Sequence, residues 1–185
     1  MIRQQLISDL ATLGPWLNSL SSTETPQSEI FSPELSDAFY AVISREIYRN
    51  GWFEPREVKQ SLKGLSSWLN HQTLNDFSSS YAYHEFRPSL GLILAGNLPM
   101  VGFHDILCGL LSGYKLQIKL SSDDQQLIPL IVRGLSELNP LYADLIQLNP
   151  QKLSGFNAVI GTGSDSTLLH FQSYFKNIPH LLRGN

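Results

Sequence analysis

Residues 89–96 (SLGLILAG) form a short apolar run with no alternation, which is how a strand buried on both faces reads. Further candidate strands follow, most of them separated by a stretch of helix length. Residues 114–120 (YKLQIKL) alternate as a strand, 145–148 can add a short one, 156–160 is buried again, and 180–182 begins another. Helical patterns fall between them. Pro99 opens one that runs to about Ser112, with Gly113 as its stop. Another covers 123–138 with Asp123 and Asp124 in an acidic first turn, which suits the helix dipole and points both carboxylates to solvent. A third covers 164–175. Strand alternating with helix predicts a parallel sheet of about four strands with helices on both faces, an α/β fold of Rossmann type.

The first 80 residues read differently. Ile2, Leu6, Leu10 and Leu13 recur at helical spacing, and Gly14-Pro15 is expected to stop that helix. Residues 23–33 read as a polar loop. Ser32-Pro33 predicts a second helix start, with Phe39, Val42, Ile43 and Ile47 on one face and Asn50-Gly51 as its end. A third helix is expected from about Glu54-Pro55 through Val58, Leu62, Leu65 and Leu69, with Trp16, Trp52 and Trp68 at the helix edges as packing residues. Two regions follow: 1–80, a helical segment, and 81–185, an α/β region that begins with an alternating stretch at 81–88.

Composition removes several function classes. Apolar residues make up 42% and charged residues 16%, as in globular chains. A net charge of −3 with 13 scattered Lys and Arg gives no footprint for nucleic acid. The most membrane-like stretch, 90–113, is broken by Asn97, Pro99, His104 and Asp105, so no membrane span is expected. The N-terminus does not read as a secretory signal, because its apolar residues are spaced and Asp9 interrupts them. One cysteine, Cys108, excludes a disulfide framework and a cysteine zinc site. That suits a cytoplasmic protein. The five histidines have no metal-like spacing, and adjacent His104 and Asp105 point about 100° apart on a helix. Cys108, flanked by Leu107 and Gly109, reads as a buried, inert thiol.

Ligands of parallel sheets bind at the carboxyl ends of the strands. Three tips therefore carry the functional expectation. At the first, Asn97 can donate to a developing oxyanion or bond its own turn. At the second, Lys119 can meet ribose hydroxyls or a phosphate, or simply be a solvated strand-end lysine. At the third, Thr162-Gly163-Ser164 precedes a helix N-terminus that suits a phosphate, or is a plain turn with a serine cap.

The order Asn97-Leu98-Pro99, Lys119-Leu120-Ser121-Ser122, Thr162-Gly163-Ser164 resembles the Asn-Phe-Pro, Lys-Pro-Ser-Glu and Phe-Thr-Gly-Ser motifs of the aldehyde dehydrogenase superfamily. Within it, LAGNLPMVGFHDILCGLLSGYKLQIKLSSDD, FNAVIGTGSDST and YFKNIPHLLRGN are similar to the LuxC-type acyl-CoA reductases. The resemblance covers residues 81–185 and implies an aldehyde-dehydrogenase-like nucleotide-binding half. It implies NAD(P)H-dependent reduction of an acyl-CoA or acyl-carrier thioester to an aldehyde, through an acyl-cysteine whose cysteine lies beyond this chain. The chain alone is then expected to be inactive. Asn97 resembles the oxyanion-hole residue, and Lys119 the ribose-binding lysine. Gly163 and Ser164 resemble the loop beside the pyrophosphate, and Ser121, Ser122 and Thr162 belong to the same cofactor-binding set. Ser122 stands where a glutamate is common, so NADPH is expected, with NAD as the alternative. His180-Leu181-Leu182 replaces the segment that holds a water-activating glutamate in many aldehyde dehydrogenases, which favours a reductase. An NAD-linked aldehyde dehydrogenase and a non-catalytic nucleotide-binding module remain the alternatives. The resemblance also implies an option of homo-oligomerisation through a sheet edge, for which residues 81–86 are the candidate.

Overall fold

The computed structural model describes residues 2–22 and 29–184. Most of the expected polar loop (23–28), and Asn185 at the end of the 182–185 segment, lie outside the described residues. The described N-terminal helices are α1 (Arg3–Leu20), α2 (Pro33–Arg45), α3 (Pro55–Trp68) and α4 (His71–Ser79). The sheet region follows as β1 (Ser89–Ile93), α5 (Phe103–Leu111), β2 (Lys115–Lys119), α6 (Leu127–Leu138), α7 (Tyr142–Leu145), β3 (Ile146–Leu148), β4 (Ala158–Gly163), α8 (Asp165–Phe175) and β5 (His180–Gly184).

All strand pairs are parallel, and the order is β3-β2-β1-β4-β5, five strands where about four were expected. Helices cover both faces, and one pair of neighbours on β5 shows it. Leu182 and Phe171 of α8 converge at Gly161, whereas the next residue, Arg183, bonds Asp105 of α5. Successive strand residues point to opposite faces, so α8 and α5 lie on opposite sides of the sheet. One apolar cluster runs from Leu6 of α1 to Ile146 of β3, so the N-terminal helices and the β1–β3 half share a core. Asp9 of α1 is buried within it and accepts from Gln5, Asn139 and the Tyr142 hydroxyl. Burial and that carboxylate push the Tyr142 hydroxyl far above its usual pKa.

Four local expectations are corrected. Pro15 does not stop α1, which continues to Leu20. A helix-interior proline costs about 3 kcal/mol. Continuing the helix buries Trp16, Leu17 and Leu20, each worth about 1.5–3 kcal/mol, so burial wins. Trp16 stacks on Phe31 with centroids 4.2 Å apart. The second correction is α4, for which the first 80 residues gave no expectation; Asn70 caps it by accepting from Thr73 N at 2.9 Å. Third, residues 81–88 form no strand. His84 N is used by Ser112 O, its ring meets the Tyr114 hydroxyl at 3.2 Å, Arg3 lies over the Tyr83 ring, and Arg87 has φ +49°. These bonds and the left-handed turn remove the segment from any ladder. Fourth, α6 starts at Leu127 rather than Asp123, and Asp124 is buried instead of solvated.

Gly14 lets α1 approach the end of α3. A Cβ there would lie 3.0 Å from Leu69 Cβ and closer still to the Leu69 carbonyl oxygen. Gly14→Ala should therefore lower stability by about 1–3 kcal/mol. Gly134→Ala meets only ordinary contacts at 3.4 Å and should be neutral or stabilising by under about 1 kcal/mol. Urea midpoints of the two variants compare directly, and equal shifts would refute the close-packing account.

Candidate functional site

The sheet order places a switch point beside β1. From β1 the chain adds β2 and then β3 on one side, and afterwards β4 and β5 on the other. Ligands of open parallel sheets sit at the carboxyl ends on either side of such a point. The register puts Ile93 of β1 level with both Lys119 of β2 and Gly161 of β4. The second and third sequence tips are thus two strand spacings apart, roughly 10 Å, with the first tip between them.

The segment after β1 carries Asn97 into the open, with its side chain bonded to nothing among the described residues. The bond to its own turn that sequence left open is not made. The helix expected from Pro99 begins only at Phe103, because residues 98–102 form turns around Met100, which has φ +58°. That left-handed residue is held by a carboxylate from the next loop. Met100 N donates to Asp124 Oδ2 at 2.7 Å, with Met100 and Asp124 both buried. Asp124 Oδ1 is buried with no hydrogen bond among the described residues. Burial raises the Asp124 pKa to about 6, opposed by the Met100 and Leu127 N–H groups and assisted by the charge of Glu46. Glu46 is itself buried, and burial raises its pKa against the pull of Arg49.

Two cavities flank Asn97. The first, of about 540 Å³, lies between α3, the 95–102 segment, the start of α5 and the tips of β4 and β5. That is within the range of small-molecule sites. Its walls include Leu65, Trp68, Leu98 and Val101, and its polar groups are Ser61, Asn97, His104, Asp105, Thr162 and Arg183. The second is lined by residues 49–52, Gly96, Asn97 and Asp123.

The sequence-derived residues divide between exposed groups and groups already engaged. Lys119 is exposed at the β2 tip. Ser121 packs under Gly96, where an added Cβ would lie 2.6 Å from Ser121 Cβ, and its hydroxyl accepts from Asp123 N at 3.2 Å. Ser122 donates to Asp123 Oδ1 at 3.3 Å on an exposed surface. Thr162 accepts from Arg183 at 3.3 Å. Ser164 caps α8, accepting from Thr167 N at 3.4 Å. Gly163 lets the Thr167 side chain pack against that turn, where an added Cβ would lie 2.9 Å from Thr167 Cγ2. Tips two and three are brought to the same edge of the sheet as Asn97.

The sequence reading missed three features. Arg183 forms an ion pair with buried Asp105, linking β5 to α5. His104 Nδ1 lies 3.6 Å from Asp105 Oδ1, so the two neighbours meet despite their helical offset. Cys108 is half-buried rather than buried, with Sγ 3.7 Å from His104 Nε2. Burial, then Asp105, push its thiol up, with Arg183 opposing. The His104–Cys108 contact was visible as an i, i+4 pair; the Arg183–Asp105 contact spans 78 residues and was not. Among the described residues no group of three or more His, Cys, Asp or Glu could hold a metal ion, and no helix is long and apolar enough to cross a membrane.

No family model matches the sequence, and no curated protein matches it. Solved structures do match. The NADP-dependent glyceraldehyde-3-phosphate dehydrogenase of Bacillus halodurans C-125, complexed with NADP, superposes with a TM-score of 0.57 at 14% identity, over 98% of this chain and 40% of that one. A candidate aldehyde dehydrogenase of Burkholderia cenocepacia gives 0.53 at 15%, over 94% and 39%. A candidate aldehyde dehydrogenase, PutA, of Anabaena variabilis gives 0.51 at 16%, over 96% and 44%. The chain thus spans less than half the length of each of these proteins. At such identities the likeness is one of architecture, and the chain has the α/β fold of the nucleotide-binding part of aldehyde dehydrogenases.

Proposed function

We propose that this chain is the nucleotide-binding part of an NAD(P)(H)-dependent oxidoreductase acting on an aldehyde- or acyl-level carbonyl, and that its reaction is reduction of an acyl thioester to an aldehyde. One observation carries the reading. Asn97, Lys119 and the 162–164 turn, three separate sequence segments, meet at the carboxyl ends of adjacent strands beside the switch point. The fold alone does not select a reductase over an aldehyde dehydrogenase. The choice rests on the LuxC-like motifs and on His180-Leu181-Leu182, which offers no glutamate to activate water.

The residues present suit a dinucleotide. Lys119, Ser122 and Asp123 at the β2 tip would hold the adenosine ribose side, and Thr162, Gly163 and Ser164 the pyrophosphate. A phosphate there would face the α8 N-terminus, whose free N–H groups and dipole suit an anion. Bound there, the cofactor would supply the hydride. Asn97 would donate its amide N–H to the carbonyl oxygen as negative charge develops. The nucleophile in this reading is a cysteine other than Cys108, whose thiol is held in its unreactive form by burial and by Asp105. The expected partner is the acyl-CoA or acyl-carrier thioester.

NADPH remains the proposed cofactor and NADH an accepted one. Lys119 and the neutral Ser122 favour an extra phosphate, while Asp123, 3.3 Å from the Ser122 hydroxyl, opposes it. Trp52 lines the second cavity and is 83% exposed, so its emission can report binding. Both reduced cofactors should bind saturably, and Lys119→Ala should weaken both. Asp123→Asn should raise NADPH affinity about tenfold and leave NADH within about twofold. Absence of dinucleotide binding would overturn the functional reading. An unchanged NADPH affinity in Asp123→Asn would remove Asp123 from the selector.

A further inference from the structure

Arg183 is one residue from the end of β5, level with Thr162 of β4. Its Nη2 donates to Asp105 Oδ2 and to Thr162 Oγ1. Asp105 is 6% exposed and sits in the first turn of α5, eight residues after Asn97. The guanidinium is therefore fixed from two sides, by a carboxylate from one helix and a hydroxyl from the neighbouring strand. Its Nε is buried and donates to nothing among the described residues. Arg183 and Asn97 line the same cavity, whose remaining wall includes Leu65, Trp68, Leu98 and Val101.

The charge balance decides which ligand such a group suits. Asp105 neutralises Arg183 within the cavity, so an added carboxylate or phosphate would face an ion pair with no net charge to offer it. A neutral carbonyl oxygen needs only the N–H donors, and gains most from them as it becomes more negative. The apolar wall beside those donors suits a hydrocarbon chain.

We propose that Arg183, positioned by Asp105 and Thr162, is a second donor to the carbonyl oxygen of an aliphatic acyl substrate, acting with Asn97, while the hydrocarbon chain lies along Leu65, Trp68, Leu98 and Val101. This rests on the acyl-level chemistry proposed above and adds to it a second side-chain donor to the carbonyl oxygen. A lysine could not replace the arginine, since the fork that reaches Asp105, Thr162 and the substrate at once would be lost.

The test uses this chain with three probes that share one chain length: decanamide, decan-1-ol and decanoate. Trp68 emission is the readout, with Trp52→Phe as background so that the two cavities are not confused. Decanamide should bind at least about tenfold more tightly than decan-1-ol, since hydrogen bonds to charged groups are worth that much. Decanoate should gain nothing over the amide. Arg183→Met should abolish the amide's advantage and leave decan-1-ol within about twofold, and Arg183→Lys should lose most of it. Because Arg183→Met leaves buried Asp105 with only His104 beside it, the double variant Asp105→Asn/Arg183→Met is read in parallel, with circular dichroism as the folding check. Decanoate binding most tightly and depending on Arg183 would make this an anion site and overturn the proposal. So would an amide advantage that survives in both variants, or no binding of any probe. Dinucleotide titration of the same samples separates the two readings. If dinucleotide binds and decanamide does not, only the carbonyl site fails. If decanamide binds and dinucleotide does not, the functional reading fails and the carbonyl site stands.

Discussion

Asp124→Asn should stabilise the protein by about 3 kcal/mol at pH 8 and by almost nothing below pH 4. The Asp124 pKa is raised from 3.8 to about 6, chiefly because burial penalises the charged carboxylate. That difference corresponds to about 3 kcal/mol between the two protonation states. The native state thus binds this proton more tightly than the unfolded chain. The associated stability is fully present below the unfolded pKa, near 4, and is lost as pH rises through about 6. Wild-type stability should fall over that window, and Glu46, also raised by burial, adds in the same direction. Asparagine keeps an oxygen to accept from Met100 N and carries no charge to desolvate. Asp124→Ala removes the acceptor instead. It should destabilise at pH 4 by about 1–3 kcal/mol, through the unsatisfied Met100 N–H and the left-handed turn it steadies. Urea midpoints at pH 4 and pH 8 are sufficient. A gap between wild type and Asp124→Asn that is equal at both pH values would refute the account.

The second large effect concerns rate. In the full-length protein, Asn97→Ala should slow acylation by about 10²–10³-fold, the cost of losing one oxyanion donor. The dissociation constants for NADH and NADPH should stay within about twofold. Asn97 is suited to the role because its side chain is exposed to both cavities and engaged by nothing else among the described residues. The backbone that aims it is fixed by the Met100–Asp124 bond. Single-turnover consumption of an acyl thioester, monitored at the released thiol, measures the step. A rate unchanged in Asn97→Ala would make the residue a structural turn and nothing more.

The strands were legible in sequence because residues 89–96 and 156–160 are largely apolar, as strands buried on both faces are, and 114–120 alternates with the period of a strand. Three strand tips could then be located from the runs alone. What stayed hidden depended on partners distant along the chain. Residues 81–88 alternate as a strand does, yet His84 spends its backbone N–H on Ser112 and its ring on Tyr114. Asp123 and Asp124 read as an acidic helix start, but Asp124 is drawn inward by the Met100 N–H 24 residues earlier. Pro15 carries a local stop signal that the burial of Trp16, Leu17 and Leu20 outweighs. The Arg183–Asp105 pair has no local signature. Each half is a common residue type, and only the fold brings β5 against α5.

The shared apolar cluster stops at Ile146, before β4. In β4, α8 and β5 the buried apolar side chains are only Val159 and Phe175, both outside that cluster. The β4–α8–β5 unit thus meets that cluster only through the partly buried Ala158 and Ile160, and is otherwise joined by its ladder to β1 and by the clasp from Arg183 to Asp105. Units with few buried contacts open first and most often. One wall of the crevice, bearing Asn97 and Lys119, is therefore rigid, and the other, bearing Thr162, Gly163 and Ser164, can yield. A nucleotide that bridged the two would stitch the weaker half to the stronger, so that occupancy of the cleft and completion of the sheet become one cooperative event.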